Sequence, residues 1–273
     1  MSFYQRMTGL QVWGLFCVVA FACSFSLPRA QGQEASAADL AARLGALVED
    51  GDSATRLRLK VVPEGSGEKV LLQIQIKARR SAGKKEVLYQ VLWPKTRKGQ
   101  AFLIQKQGEG SPKGVVYTPP VKTATTLGKG EMMNGLLGSD LAYQDVIENF
   151  FRWQTQSLAG KEKLGRVECV IVESKPGAKD ASPYGRVKSW IDPVKLVAMR
   201  VEKYDSAGKL VRRFDTTRVA KDDEKHYVPA SLEVRRTGSG TVTEIEGSSI
   251  RHDVKFSDKD FTTSALNDFR IPR

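Results

Sequence analysis

The chain has 273 residues and a formal net charge of +12 at pH 7, and 41% of its residues are hydrophobic. This length suffices for one sizeable domain with its own core. A nucleic-acid-binding protein is not indicated, because the basic residues are scattered along the chain rather than clustered with aromatic stacking positions.

The first 32 residues are typical of a secretory signal peptide. Arg6 supplies the positive charge, residues 10–27 carry almost none, and Ala30-Gln31-Gly32 offers small residues for cleavage. A retained membrane anchor is the alternative, but the apolar stretch is short and interrupted. We therefore expect export and one mature domain over residues 33–273.

Loss of the signal peptide changes both the charge and the cysteine content. Removal of Arg6 and Arg29 lowers the net charge from +12 to +10. Such a charge favours transient contact with anionic lipid head groups, and the alternative, which is the commoner case, is a solvated basic face. Cys17 and Cys23 are also removed, so Cys169 is left without a disulfide partner. Its strand-like surroundings predict a buried, inert thiol.

Hydrophobic spacing predicts one helix and many strands. Leu40, Leu44 and Leu47 mark one face of a helix over residues 38–50. Alternation of apolar and polar residues predicts strands whose polar side meets water. These strands cover residues 56–61, 73–77, 87–93, 101–105, 115–118, 166–173, 187–192, 198–204, 209–218, 228–236, 241–246 and 250–256.

Short turns between these strands favour antiparallel pairing. The predicted fold is mainly β, of α+β type: one large curved antiparallel sheet or incomplete barrel of roughly 11 strands, with a few covering helices. Besides the first helix, residues 261–269 are expected to be helical. The sheet must curl onto its own side chains or around a hydrophobic cavity.

The stretch MMNGLLGSDLAYQDVIENFFRWQ, residues 132–154, is unusually rich in apolar residues for a basic chain. Gly138, Ser139 and Asp140 predict a bend and helix cap, followed by a short amphipathic helix from Leu141 to about residue 151. Asp145 is expected to face solvent. We predict a mobile cover over a cavity, contacting ligand through Met132, Met133, Leu136, Leu137, Leu141, Tyr143, Ile147 and Phe150. The alternative is that these side chains only plug a barrel end.

The run 137–146 resembles the G-S-D-x-x-Y-x-D motif of bacterial outer-membrane lipoprotein-sorting proteins, the LolA/LolB-like superfamily. Weaker agreements follow in order at Trp190-Ile191-Asp192-Pro193, Tyr204-Asp205 with Gly208-Lys209, and Phe261-Thr262-Thr263 with Leu266. The resemblance covers residues 39–269. It implies an incomplete barrel with helices over a cavity that holds acyl chains.

No pattern in the sequence indicates an enzyme, a metal site or a cofactor. His226 and His252 are the only histidines, and no H-x-x-H, C-x-x-C, G-x-S-x-G or phosphate-binding loop occurs. Asp140 and Asp145 do not suit paired acid and base chemistry, because five residues place them about 140° apart on a helix. A Cys169–His252 pair lacks local signs of activation.

The leading hypothesis is a monomeric periplasmic carrier or chaperone that shields acyl chains of lipoproteins, or another lipid, between membranes. Its partners would be an inner-membrane transporter and an outer-membrane acceptor. One alternative is an accessory factor that passes lipid to or from such a transporter. The other is an envelope module that transports nothing and binds a protein partner at an exposed sheet edge.

Overall fold

The computed structural model describes residues 36–48, 51–81, 83–121, 123–247 and 250–271. The predicted signal peptide lies outside these residues. Within them, the helix and strands are α1 (Ala37–Val48), β1 (Asp52–Pro63), β2 (Val70–Arg80), β3 (Lys84–Trp93), β4 (Ala101–Gln107), β5 (Lys113–Tyr117), β6 (Thr125–Thr126), β7 (Thr155–Leu164), β8 (Val167–Lys175), β9 (Arg186–Asp192), β10 (Val197–Tyr204), β11 (Leu210–Lys221), β12 (Tyr227–Arg236) and β13 (Thr241–Gly247).

The strands form one antiparallel sheet in the order β6-β5-β4-β3-β2-β1-β13-β12-β11-β10-β9-β8-β7. Its edges are β6 and β7, so the sheet is curled but unclosed, as predicted. Thirteen strands are described rather than about 11. The sequence pattern missed β7 because this edge strand is polar and almost fully exposed, so its residues do not alternate between an apolar and a polar face.

Helix α1 begins where predicted. The Ser36 hydroxyl accepts from the Asp39 backbone N–H at 3.1 Å, and the Asp39 carboxylate accepts from the Ser36 backbone N–H at 3.3 Å, which is a reciprocal cap. Leu40 and Leu44 then lie on one face and pack against Val172 and other residues of β8 and β9. The helix therefore covers one part of the sheet.

The two faces of the sheet are covered by different parts of the chain. We call the inner face the side that carries Leu59, Ile74 and Phe102, which pack against residues 132–147. The opposite, outer face carries Leu88 and Leu103, which pack against the C-terminal residues. Alternate residues of each strand face opposite sides, so every strand contributes to both.

The C-terminal residues do not form the strand predicted at 250–256 or the helix predicted at 261–269. Apart from a bridge between Arg251 and Ala54, the first segment is irregular, and the second contains the 3₁₀ turns Asp258–Phe261 and Thr263–Asn267. The strand prediction fails because β13 is already paired with β1 and β12 on its two sides. From Val254 onward the chain instead packs on the outer face.

Buried polar side chains fasten this C-terminal segment, which corrects the expectation that the polar side of every strand meets water. Gln75, Lys77 and Gln90 are at most 1% exposed. The carbonyl groups of an irregular segment have no hydrogen-bond partner in a β-sheet, and these side chains donate to them. The hydrogen bonds are Gln75 Nε2 to Phe269 O (2.9 Å), Lys77 Nζ to Asp268 O (2.8 Å), and Gln90 Nε2 to Ala265 O (3.2 Å), Leu266 O (3.0 Å) and Asp268 O (3.0 Å).

Replacing Gln90 with Leu should destabilise the protein by about 1–3 kcal/mol, because buried carbonyls lose their donor. Gln73→Leu is the matched control, since Gln73 lies on the same face but is exposed. We expect the control to change the free energy of unfolding by less than about 0.5 kcal/mol in urea denaturation. Equal effects of the two changes would show that the Gln90 hydrogen bonds do not stabilise the fold.

Candidate functional site

An apolar pocket of about 440 Å³ opens on the inner face where β1, β13, β12 and β11 lie side by side. Its walls are mainly aliphatic, and no acidic residue lines it. The lining residues are Thr55, Leu57, Arg218, Ala220, Lys221, Val228, Pro229, Ala230, Leu232, Ile245, Gly247 and Ile250.

Strand register explains why this wall is apolar. Ile245 pairs with Leu59 on one side and with Leu232 on the other, so all three lie in one row of the inner face. Leu59 is buried, whereas Leu57, Leu232 and Ile245 are only half-buried. The inner face is thus filled around Leu59 and left open around Leu57, Leu232 and Ile245.

Ile250 reaches the pocket because the segment that carries it is tied to the loop after β11. The backbone N–H of His252 donates to Asp223 at 2.8 Å, and its Nδ1 lies 2.6 Å from Asp223 Oδ1. Burial lowers the pKa of His252, but the hydrogen bond and charge of Asp223 outweigh this and raise it above its ordinary value. Ile250 and His252, which belong to the strand predicted at 250–256, therefore lie in an irregular segment that is tied to this loop.

Residues 130–153, which we call the cover segment, pack on the inner face as a series of short turns. The predicted α-helix beyond Leu141 is wrong: the segment contains the 3₁₀ turns Gly130–Met133, Leu136–Gly138, Gln144–Val146 and Phe150–Arg152. Leu137 has φ +53° and Gly138 φ +85°, so the chain reverses there. Gly135 is required nearby, because a Cβ at this position would meet Ser139 O at 2.0 Å.

The predicted contact residues all lie in or beside this cover. Met132, Leu136, Tyr143 and Ile147 are buried against β1–β4, and Leu137 and Leu141 pack beside them half-buried. Met133 and Phe150 pack around Trp153 and Tyr184. None of them lines the 440 Å³ pocket, whose residues the sequence analysis did not select. The alternation of apolar and polar residues in β12 and β13 could have indicated these pocket residues.

Asp140 fastens the cover segment to β13 instead of capping a helix. Its carboxylate accepts from the Thr241 hydroxyl at 2.9 Å and from the Thr243 hydroxyl at 2.8 Å. The Ser139 hydroxyl donates to Leu136 O at 2.8 Å and so closes the turn that Gly138 permits. These motif residues therefore shape and anchor the cover.

Asp145 is buried, which corrects the prediction that it faces solvent; its side chain is 1% exposed. It accepts from Lys203 Nζ at 2.8 Å and from the Tyr184 hydroxyl at 2.7 Å, and Arg212 Nε lies 3.5 Å away. Burial would raise its pKa, but Lys203 and Arg212 outweigh this and hold the pKa below its ordinary value. Asp145 is thus an ionised anchor for two buried cations.

Arg212 is the central residue that sequence analysis missed. It is 1% exposed, and besides facing Asp145 it donates from Nε to Asp140 O at 2.9 Å and from Nη2 to Met133 O at 2.7 Å. Its Nη1 also donates to the Tyr184 hydroxyl at 3.0 Å. One sheet residue therefore holds two points of the cover backbone. The sequence offered one indication: Arg212 lies two residues before Phe214 and therefore on the same face of β11.

Glu148 is a second buried carboxylate in the cover segment, and it is less well satisfied. Gln144 donates to its Oε1 at 3.1 Å. Lys203 lies 3.7 Å from Oε2, which has no hydrogen-bond partner among the residues that the structure describes. Burial raises the pKa of Glu148 despite the nearby Lys203 charge. This group therefore destabilises the closed cover when it is ionised.

Cys169 is a buried free thiol whose pKa is raised by burial, which agrees with the predicted inert role. Within the described residues, no group of three His, Cys, Asp or Glu side chains is placed to hold a metal ion. Across the same ranges, no helix has the length and apolar character needed to cross a membrane.

Arg212→Met should lower the free energy of unfolding by about 3–5 kcal/mol, because it leaves the buried Asp145 with one cation fewer. Arg213→Met is the matched control: this neighbour points to the outer face and pairs with the half-buried Asp215. We expect the control to cost less than about 1 kcal/mol. Hydrogen exchange should also accelerate at residues 132–146 in the Arg212 variant alone, and unchanged exchange there would exclude the fastening role.

Glu148→Gln should stabilise the protein at neutral pH. A carboxyl group whose folded pKa is raised destabilises the fold fully above that pKa, and this effect disappears below the unfolded pKa of about 4.3. The advantage of the variant should therefore shrink as the pH falls through this range. Urea denaturation of both proteins between pH 4 and pH 8 tests this, and a pH-independent difference would contradict it.

Comparisons with known proteins agree with this fold. A family model described as an uncharacterized protein matches residues 83–268. A DUF1329 family protein from Desulfovibrio piger is similar in structure, with a TM-score of 0.77 and 22% identity over 84% of this chain and 97% of that chain. Among curated proteins, no relative matches the sequence.

Two further solved structures are similar. One is a domain from Vibrio parahaemolyticus inferred to be an outer membrane lipoprotein-sorting protein, with TM-score 0.73 and 20% identity over 83% of this chain and 97% of that chain. The other is a LolA superfamily protein from Nitrosomonas europaea, with TM-score 0.67 and 16% identity over 85% and 99%. The predicted resemblance is confirmed at the level of the fold. The chain therefore belongs to the family that the matched model describes, and it has the open-barrel fold of the LolA superfamily of outer membrane lipoprotein-sorting proteins.

Proposed function

We propose that this protein is a periplasmic carrier or chaperone that binds an acyl chain of a lipoprotein or another lipid. The observation that carries this proposal is the pocket of about 440 Å³ on the inner face, with its half-buried aliphatic wall. Ligand sites typically have volumes of about 300–1,000 Å³ and mostly apolar walls. Contiguous apolar surface that the protein leaves uncovered is best explained by a ligand that covers it.

The cover segment is the part of the molecule that would adapt to such cargo. Each methylene moved out of water contributes about 0.8 kcal/mol, so a carrier gains from enclosing as much of a chain as it can. Met132, Met133 and Leu137 provide adaptable or half-buried apolar surface beside a reversal at Gly138. We propose that the predicted contact residues line an enlarged cavity when Arg212 releases the cover.

The proposed location and partners follow from cargo that must pass between membranes. Residues 1–32 have the pattern of an export signal. An inner-membrane transporter as donor and an outer-membrane acceptor suit such a carrier, as does transient contact of the basic surface with anionic lipid. The fold shared with lipoprotein-sorting proteins supports this assignment.

Leu232→Asp should abolish lipid binding, because it places a charge against the hydrocarbon. We expect at least about a tenfold loss of bound lipid. Native mass spectrometry of protein purified from its own host measures this directly. Leu158→Asp is the matched control: Leu158 is 50% exposed on edge strand β7 and does not line the pocket.

A wild-type protein that carries no lipid, or a Leu232 variant that carries as much as wild type, would overturn the proposal. The alternative function would then be a module that binds a protein partner at an edge. Strand β7 favours this alternative, because it is a ten-residue edge strand of which eight residues are exposed. A protein that co-purifies with wild type and is lost when β7 residues are replaced by proline would identify that function.

A further inference from the structure

The apolar pocket has a charge pattern of its own. Arg218 and Lys221 are the charged residues among those that line it, and both are cationic. Both are exposed to solvent, while the aliphatic wall beyond them is half-buried. A hydrocarbon surface bordered by two positive charges matches a molecule with an apolar tail and a negatively charged head.

The guanidinium of Arg218 has hydrogen-bonding capacity left for a ligand. Its Nε donates to the Ser231 hydroxyl at 3.2 Å and its Nη2 to Ala230 O at 3.4 Å. Both acceptors are neutral and both distances are long, and no carboxylate pairs with Arg218 within the described part of the chain. An arginine fork of this kind suits bidentate binding of a carboxylate or phosphate.

Lys221 lines the pocket, and its ammonium group packs on the ring of Tyr227, which does not line it. Its Nζ lies 4.9 Å from the centroid of Tyr227, on the neighbouring strand, and Lys195 Nζ lies 6.0 Å from the same ring. The ring therefore gathers positive charge around Lys221. Lys221 adds a second cation to the pocket lining besides Arg218.

The acidic residues of the nearby loop are engaged elsewhere. Asp222 accepts from the backbone N–H groups of Glu224 at 3.0 Å and His226 at 2.8 Å, and Asp223 is bound to His252. These carboxylates shape the loop and do not line the pocket. They leave the two cations available to a ligand.

We propose that the pocket binds a single-chain amphiphile with an anionic head group, with the chain on the aliphatic wall and the head group on Arg218 and Lys221. This inference rests on the proposed function and narrows its ligand. A volume of about 440 Å³ lies at the lower end of the usual range of about 300–1,000 Å³, which suits one chain. A fatty-acid carboxylate and a lysophospholipid phosphate share the required chemistry.

The test compares molecules that differ only in the head group. Dodecanoate, dodecanol and dodecylammonium, each below its micellar concentration, are titrated against full-length mature protein that holds the neutral dye Nile red. We expect dodecanoate to displace the dye at about tenfold lower concentration than dodecanol, because charge-assisted hydrogen bonds are the strong ones. The preference should shrink at high salt, since these cations are exposed. A lysophospholipid measured in parallel against dodecyl phosphate identifies the source of the phosphate.

The double variant Arg218→Gln/Lys221→Gln should bind dodecanol as wild type does and lose the preference for dodecanoate. Lys225→Gln/Arg236→Gln is the matched control, because it removes the same charge at exposed positions that do not line the pocket. This control should keep the preference. Retained dodecanol binding also shows that the double variant is folded.

Two failures are distinguishable. If dodecanoate and dodecanol bind equally, or dodecylammonium binds best, the head-group inference is overturned and the acyl-chain pocket stands. If none of the three displaces Nile red, the proposed function itself fails.

Discussion

The closed arrangement of this molecule depends on a buried ionic cluster between the sheet and the cover segment. Arg212 and Lys203 come from β11 and β10, Asp145 comes from the cover, and each of the three is at most 4% exposed. Buried ion pairs are weak sources of net stability, but they define one geometry, because any displacement leaves a charge without a partner. The cover therefore has one well-specified position on the sheet.

The division between the filled and the unfilled parts of the inner face follows from this fixed position. Over β1–β4, aromatic and aliphatic side chains of the cover fill the face, as in the edge-to-face contact of Tyr143 with Phe102 at 5.1 Å. Around Leu57, Ile245 and Leu232, no side chain of the described cover residues lines the surface, and a pocket of about 440 Å³ is left. Residues of the apolar stretch thus pack on the sheet and a pocket remains beside them, while their contact with a ligand stays a prediction.

Much of the sheet could be predicted from sequence, because strand residues such as 56–61 alternate between one wet and one apolar face. The predictions are wrong where polar residues are buried or where helical spacing does not give a helix. Gln75, Lys77 and Gln90 are polar yet buried, since they bind a backbone segment whose position no local pattern encodes. The helix predicted after Leu141 is wrong because contacts of individual residues with the sheet hold this segment as separate short turns. Asp145 looked exposed because the side chains that bind it, Tyr184, Lys203 and Arg212, lie at least 39 residues away in sequence.

The pairing of the first strand with the last affects how fast the sheet can form. Lys60 of β1 and Glu244 of β13 are 2.8 Å apart and separated by 184 positions, so the two halves of the sheet meet only through residues near opposite ends of the domain. Such long-range closure is slow, since most of the chain must be available before it can occur. A polypeptide threaded through a translocation channel from its N-terminus would hold β1 with one bare edge until its final strand emerged.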